Sequence, residues 1–494
     1  MDFLAFQARL RPQALVIRDL TFHRQWTYLE WHQQVEHVAA WLLQQGIKQG
    51  DRVAVLSKNR AEILALHFAC SRIGAIFVPL NWRLSDAELL QLYQDCQPAM
   101  LLADARGETL DVGFDGIDLL FGLAKAQKRK AKEKQEIDHN TPCLLLYTSG
   151  TTGTPKGVLH SETSLMETTL NMSLLAEVDC QSCFLCEAPM FHVIGLVTSI
   201  RPVLYQGGSL VISDGFVPER TLERLMDPAL AISHYFCVPQ MANTLRQQPN
   251  FEHRRLRHLK AVMTGGAPHP EVQIRAWLDD GIAIVDGYGM SEAGTVFGMP
   301  FSLTLIGEKA GYVGLPTHRL QVRLVDKQQK PVGTGKPGEV QLKGPGLMVG
   351  FWRNDDAFKA AFTDDGWFKT GDLAVQDSDG YFRIVDREKD MFISGGENVY
   401  PAEVEALLLK HAPILDCAVI GVPDETWGEV GCVFVVPKPG HHLNPDILAK
   451  VMDGILARYK LPKYVEIIKA LPRNGSGKLL KHKLRKRLTL SQAC

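Results

Sequence analysis

The chain has 494 residues, beyond the roughly 250–300 at which one hydrophobic core stops growing, so at least two domains are expected. With 46% hydrophobic and 22% charged residues, and 54 basic against 55 acidic side chains, it has the make-up of an ordinary globular protein and lacks the basic excess of a nucleic-acid binder. The start, Met1-Asp2-Phe3-Leu4, shows no positive segment leading into an apolar one; the most apolar stretch, Ala188 to Ile200, carries His192 and is shorter than the roughly 20 residues a bilayer requires. A soluble, cytoplasmic protein without an integral membrane segment is therefore expected.

Glu30 to Gln45 has apolar residues at helical spacing, and Gly50-Asp51 then leads into the buried-strand pattern Arg52–Leu56. Ala61 to Arg72 is helical again and is followed by the apolar run Ala75–Leu80. Strands alternating with helices of this length predict α/β units around a largely parallel sheet. Residues 122–138 are charged and nearly free of large apolar groups, which reads as a solvated helix or linker. Of the ten cysteines, Cys180, Cys183 and Cys186 are spaced as metal ligands could be, but no fourth ligand stands at a recognisable distance. The strand-like Phe184-Leu185-Cys186 favours core packing instead. From Gly335 onward short alternating runs such as Glu339–Leu342 and Tyr381–Val385 predict a β-rich lobe. After Asp386-Arg387 a smaller α+β segment follows, with helices at Ala402–His411 and Pro445–Tyr459 and strands at Ala418–Val422 and Val433–Val436.

The strongest local motif is Tyr147-Thr148-Ser149-Gly150-Thr151-Thr152-Gly153-Thr154-Pro155-Lys156-Gly157, placed after the apolar strand Cys143–Leu146. Glycines free the backbone to turn its N–H groups inward, hydroxyls add donors and Lys156 adds charge, a combination that cradles phosphates. It is not the loop ending in Gly-Lys-Ser/Thr, because Gly153 is followed by Thr-Pro-Lys-Gly. Six further blocks follow in order. They are Thr264–Pro268, Asp286-Gly287-Tyr288-Gly289-Met290-Ser291-Glu292, Gly366–Asp372, Asp386–Asp390, Ser394–Glu403 and Pro472–Lys478.

In that order the seven blocks resemble the adenylate-forming superfamily of acyl-CoA synthetases, luciferases and peptide-synthetase adenylation domains. The texture is closest to bacterial fatty acyl-CoA synthetases and 4-coumarate-type ligases. The resemblance implies an α/β fold: a large N-terminal domain (1–386) of layered α/β subdomains with a β-rich lobe, a hinge at 387–389, and a small mobile C-terminal α+β domain (390–494). It also implies the substrates ATP and coenzyme A together with Mg²⁺. Thr148, Ser149, Gly150, Thr151, Thr152, Gly153 and Lys156 would hold phosphates. Gly287, Tyr288 and Gly289 would frame adenine, with Tyr288 stacking on it, and Gly266, Ala267 and Asp286 would belong to the same cofactor site. Ser291, where the family usually has Thr, would bond the α-phosphate, and Glu292 would bind Mg²⁺. Asp372 would grip the ribose and Arg387 the ribose and phosphate. Lys478 would bridge the acid's carboxylate and the α-phosphate, where charge grows in the transition state. Lys389 would act at the hinge, and Gly395 and Gly396 would line the pantetheine path.

His192, after Phe191, stands where amino-acid-activating relatives keep an aspartate, and resembles the gate beside an acyl pocket. Val193, Ile194, Val197, Met241, Val296 and Phe297 are the candidate pocket residues, with no arginine to meet a second carboxylate. The expected substrate is a medium- or long-chain fatty acid converted through acyl-AMP to its coenzyme A thioester. An aryl or cinnamate-like acid is the alternative, as is a ligase that loads a carrier protein. No nucleic-acid partner is expected; the resemblance leaves room for a homodimer and for peripheral membrane contact.

Overall fold

The computed structural model describes residues 2–126, 136–148, 156–387, 390–394, 397–411, 413–424, 426–452, 456, 458–473 and 479–491. Two seven-stranded sheets form the larger part. In one, the strands run in the order Ile284–Asp286, Ala261–Thr264, His234–Cys237, Cys183–Cys186, Ser209–Ile212, Leu15–Asp19 and Arg24–Thr27. All neighbours in it are parallel except the last pair. The other sheet is centred on Arg52–Leu56, Ile76–Pro79 and Pro142–Thr148, again parallel, with Lys156–Ser161 turning back antiparallel. This is the α/β organisation that strand–helix alternation predicts.

Helix Ala61–Ile73 shows why the layers share one core. Every residue from Ala61 to Cys70 is buried, Glu62 and His67 among the apolar ones, as expected for a helix covered on every side. It ends at Gly74, whose φ of 72° is the left-handed cap that glycine adopts without strain. The preceding helix covers Tyr28–Gln44, two residues earlier than its apolar spacing predicts, because Thr27 and Glu30 close a reciprocal capping box. The charged stretch begins as helix Leu120–Ala126; residues 127–135 lie outside the described residues.

The β-rich lobe is a four-stranded antiparallel sheet of Gln321–Val325, Gly338–Lys343, Phe368–Gln376 and Phe382–Arg387. A three-stranded sheet, Tyr288–Met290, Gly294–Gly298 and Leu315–Pro316, lies against it through the stacked rings of Phe297 and Phe382, 4.6 Å apart. The C-terminal part is a five-stranded sheet in which Ile414–Asp424 and Gly428–Pro437 pair over ten positions. Apolar clusters cover both of its faces. Both strands are longer than expected; of the predicted helix Pro445–Tyr459, Pro445–Met452 is helical and Arg458–Lys460 is a 3₁₀ turn, while 453–455 and 457 lie outside the described residues. Among the described residues no helix is long and apolar enough to cross a membrane.

Candidate active site

The carboxyl ends of five parallel strands (closing at Cys186, Ile212, Cys237, Thr264 and Asp286) share one edge of the first sheet, the place where open α/β sheets bind ligands. A cavity of about 790 Å³ opens there. It gathers Thr148, Lys156, His192, Gly266, Asp286, Gly287, Tyr288, Gly289, Ser291, Glu292 and Asp372, drawn from sequence positions up to 224 residues apart. Ala267, predicted beside Gly266, is not part of the wall. Ser149, Gly150, Thr151, Thr152, Gly153, Lys389, Gly395, Gly396 and Lys478 lie outside the described residues.

The strand pair Pro142–Thr148 and Lys156–Ser161 carries the two described ends of the phosphate-loop motif, with Thr148 opposite Lys156. The Lys156 ammonium lies 5.6 Å from the centre of the Phe351 ring. Across the cavity, the Tyr288 hydroxyl donates to Asp372 Oδ2 at 2.5 Å, directly joining the residues expected from the sequence to meet adenine and ribose. Asp372 lies in an irregular stretch of strand Phe368–Gln376, where the register to Gly338–Lys343 shifts, Gly371 has a φ of 68° and Thr370 Oγ1 accepts from the Asp372 amide at 3.1 Å. Pairing of the two flanking strands puts Arg387 directly across from Asp372; its side chain is outside the described residues.

Gly289 corrects one expectation. Its small size is required by the neighbouring strand, since a Cβ would sit 2.4 Å from the Gly294 carbonyl oxygen, and not only by an approaching ligand. Asp286 is buried beneath the cavity wall. Burial, opposed by hydrogen bonds from Thr264 Oγ1 and from the amides of His269 and Gly287, pushes its carboxyl up to about 8. Thr264 Oγ1 also lies 2.9 Å from His269 Nδ1, and burial pulls that imidazole down to about 3.

His160 is a functional candidate that sequence reading missed. Its Nε2 is 2.6 Å from the Ser291 carbonyl oxygen and its Nδ1 3.0 Å from Ser164 Oγ. A carbonyl can only accept, so Nε2 carries the proton and fixes the backbone between Ser291 and Glu292. Burial lowers the pKa of this imidazole and keeps it neutral. Its partner is 131 residues away, so no local signal exposes it.

At the other end of the cavity His192 opens the turn Ile194–Thr198, a π-helical stretch of the kind common at functional sites. Gly195 permits this packing, because a Cβ would meet the Pro189 carbonyl oxygen at 2.2 Å. Val193, Ile194, Met241 and Phe297 line the cavity as expected. Val197 and Val296 do not: both are 0% exposed and point into apolar clusters. Met172, Leu175, Phe216, Phe236 and Phe301 supply the missing walls, together with the unexpected Glu187. Cys183 and Cys186 are buried in their strand while Cys180 is exposed, and among the described residues no three His, Cys, Asp or Glu side chains form a metal cluster.

Two family models match the chain, AMP-binding enzyme over residues 4–352 and AMP-binding enzyme C-terminal domain over residues 403–478. A feruloyl-CoA synthase of an Amycolatopsis species is 37% identical over 97% of both chains. A long-chain-fatty-acid–CoA ligase of Mycobacterium tuberculosis is 33% identical over 93% of this chain and 92% of its own. Among solved structures, an o-succinylbenzoate coenzyme A synthetase of Bacillus subtilis with ATP and magnesium ion superposes with a TM-score of 0.85 at 28% identity, covering 98% of this chain and 99% of that one. The chain belongs to the AMP-binding enzyme family, the adenylate-forming enzymes.

Proposed function

We propose that this protein is an ATP-dependent acid–coenzyme A ligase whose acid is aromatic. The observation that carries the reading is the single cavity in which Lys156, Tyr288, Ser291, Glu292 and Asp372 face apolar walls: a polar, anion-compatible end and a greasy end meet in one space. ATP fits the polar end, with Tyr288 and Asp372 already joined and Lys156 in the wall to meet the triphosphate. Glu292 offers the hard carboxylate oxygen that Mg²⁺ takes alongside phosphate oxygens and water; bound there, the ion would neutralise charge on the phosphates. His160 holds the Ser291–Glu292 backbone in place. The acid's carboxylate attacks the α-phosphorus, pyrophosphate leaves, and Lys478 stabilises the charge that grows on the phosphoryl oxygens. Coenzyme A thiol then attacks the acyl carbon and AMP leaves, a step for which we assign Gly395 and Gly396 to the thiol's path. We place the boundary between an N-terminal domain (1–386) and a mobile C-terminal domain (390–494) at 387–389, with Lys389 as the pivot.

The choice of an aromatic acid draws support from the feruloyl- and succinylbenzoate-activating relatives and from the rigid walls Phe216, Phe236 and Phe301. A fatty acid is the second reading. It is favoured by the fatty-acid ligase relative and by five methionines in the wall (Met172, Met241, Met263, Met290 and Met299), whose flexible side chains adapt to chains of different length. An ATP–pyrophosphate exchange screen over cinnamate-type, benzoate-type and saturated fatty acids decides between them. Exchange fastest with an aryl acid upholds the proposal, exchange confined to fatty acids replaces it with the second reading, and no exchange with any acid removes both.

A further inference from the structure

Asp386 is the last residue but one of strand Phe382–Arg387, which belongs to the β-rich lobe through its pairing with Phe368–Gln376. Its carboxylate reaches past the hinge at 387–389. Oδ2 accepts from the Ala402 amide at 3.0 Å, in the first turn of helix Pro401–Leu409. That helix is part of the C-terminal body: Val404 and Leu408 pack in one apolar cluster with Val419 and Val433 of its sheet. Its own N-cap residue, Tyr400, makes no side-chain capping bond. The cap comes from across the hinge instead. A carboxylate there satisfies an amide that the helix leaves open and faces the positive end of the helix dipole.

A cation completes the contact. Lys481 opens helix Lys481–Ser491, and its ammonium lies 2.9 Å from Glu405 Oε1. Burial works to lower the pKa of this ammonium, but the carboxylates of Glu405, Asp386 and Asp390 raise it on balance. Glu405, Asp390 and Lys481 follow the hinge in sequence; Asp386 precedes it. Asp386 is 8% exposed, so its charge is matched by groups of the small domain rather than by water. Lys410 and Glu271, another pair across the boundary, stand 3.9 Å apart with both side chains exposed, where an ion pair contributes little.

The orientation so held brings the C-terminal part to the nucleotide end. Hydrogen bonds from the Ser85 amide and hydroxyl lower the pKa of Glu88, and the charge of Lys483 lowers it further. Lys483 is therefore near helix Asp86–Cys96, which starts three residues after Arg83 of the cavity wall. In sequence Lys483 stands five residues beyond Lys478.

We propose that Asp386 is a positioning residue: by capping helix Pro401–Leu409 and meeting Lys481 across the hinge, it holds the small domain in the orientation that forms the acyl-adenylate. It lets go when that domain turns for the thioester step. The inference rests on the acid–ligase reading and the hinge at 387–389 above. A body that turns about those residues carries Ala402 and Lys481 away from Asp386, so both contacts belong to one orientation. A hydrogen bond to a charged group is strong enough to shift the balance between orientations about 10-fold.

The test measures the two half-reactions of the full chain separately, with the acid that exchanges fastest: acyl-adenylate formation from acid and ATP, and thioester formation from supplied acyl-adenylate and coenzyme A. Asp386→Ala is expected to slow the first about 10-fold at saturating ATP, to leave the KM for ATP within about 2-fold, and to leave the second unchanged or faster. Equal losses in both steps, the mark of a merely structural residue, overturn the proposal. So does a raised KM with the rate at saturating ATP intact, which would mean that Asp386 acts on the nucleotide through its neighbour Arg387. A second measurement stands even if that variant fails to fold: Glu88→Cys/Lys483→Cys joined by a short bismaleimide, with each single variant as control. The joined protein is expected to form acyl-adenylate and to lose at least about 10-fold in thioester formation. No cross-link, or a joined protein that makes thioester as fast as before, overturns the proposal. A wild type that forms no acyl-adenylate from any acid sinks the ligase reading itself, and the inference with it.

Discussion

The two ends of the cavity rest on one sheet edge and are built in opposite ways. The nucleotide end comes from short contiguous runs: Val285 to Glu292 contributes eight consecutive residues to the wall and Thr370-Gly371-Asp372 three more. The acid end is collected one or two side chains at a time, from a helix (Met172, Leu175), a strand edge (Glu187), a loop (Phe216), a strand (Phe236) and a second helix (Met241). The difference follows from what each end recognises. A nucleotide presents polar groups in fixed mutual geometry, which one turn of backbone can match. An acid's hydrocarbon part presents only shape, and enclosing a shape takes walls from many directions. Substitutions at the nucleotide end should therefore tax every acid alike, while those at the acid end should reorder the acids.

The largest expected effect is that of Lys478→Ala, a loss of about 10³-fold in acyl-adenylate formation, equal for all acids. Thioester formation from a supplied acyl-adenylate should survive, as single-turnover measurement of each half-reaction would reveal. A loss that depended on the acid would break the division between the two ends.

Next is Asp286, whose folded carboxyl sits at about 8 against an ordinary value near 4. The folded state thus holds a proton that the unfolded state has lost between those values. The stability contributed by the neutral form is complete at low pH and disappears as pH rises past 8. Chemical denaturation of wild type and Asp286→Asn should show the wild type losing about 3 kcal/mol relative to the variant between pH 6 and 9. A pH-independent difference would mean that the carboxyl is ionised in the fold.

Asp372→Ala breaks the bond to Tyr288 and is expected to lower kcat/KM for ATP by about 10- to 100-fold, again without regard to the acid. At the opposite end Met241→Ala, which opens the wall, should leave the KM for ATP unchanged and shift the ratio between bulky and small acids by about 10-fold. A change in that ratio from Asp372→Ala, or a change in the KM for ATP from Met241→Ala, would blur the comparison.

The same contrast explains what the sequence discloses. The alternation of helices and strands, the β-rich lobe and the nucleotide wall are legible because their signals are local: periodicity for the elements, runs of three to seven residues for Thr264–Gly266, Asp286–Glu292 and Thr370–Asp372. The acid end is not. Val197 and Val296 share the apolar character of Val193 and Phe297, and only the π-helical turn and the alternation of strand Gly294–Gly298 decide which of them face the cavity. His160 is invisible for a related reason. The partner that gives it meaning, Ser291, lies 131 residues away.

The central claim, that one cavity joins ATP to an acid and hands the acyl group to coenzyme A, is tested most directly by product analysis of a single reaction. The protein would be incubated with ATP, Mg²⁺, coenzyme A and a hydroxycinnamate-type acid, and its products followed by mass spectrometry. One AMP, one pyrophosphate and one coenzyme A thioester are expected for each ATP consumed. ADP and phosphate in their place, or an acyl-adenylate that accumulates without thioester, would contradict it.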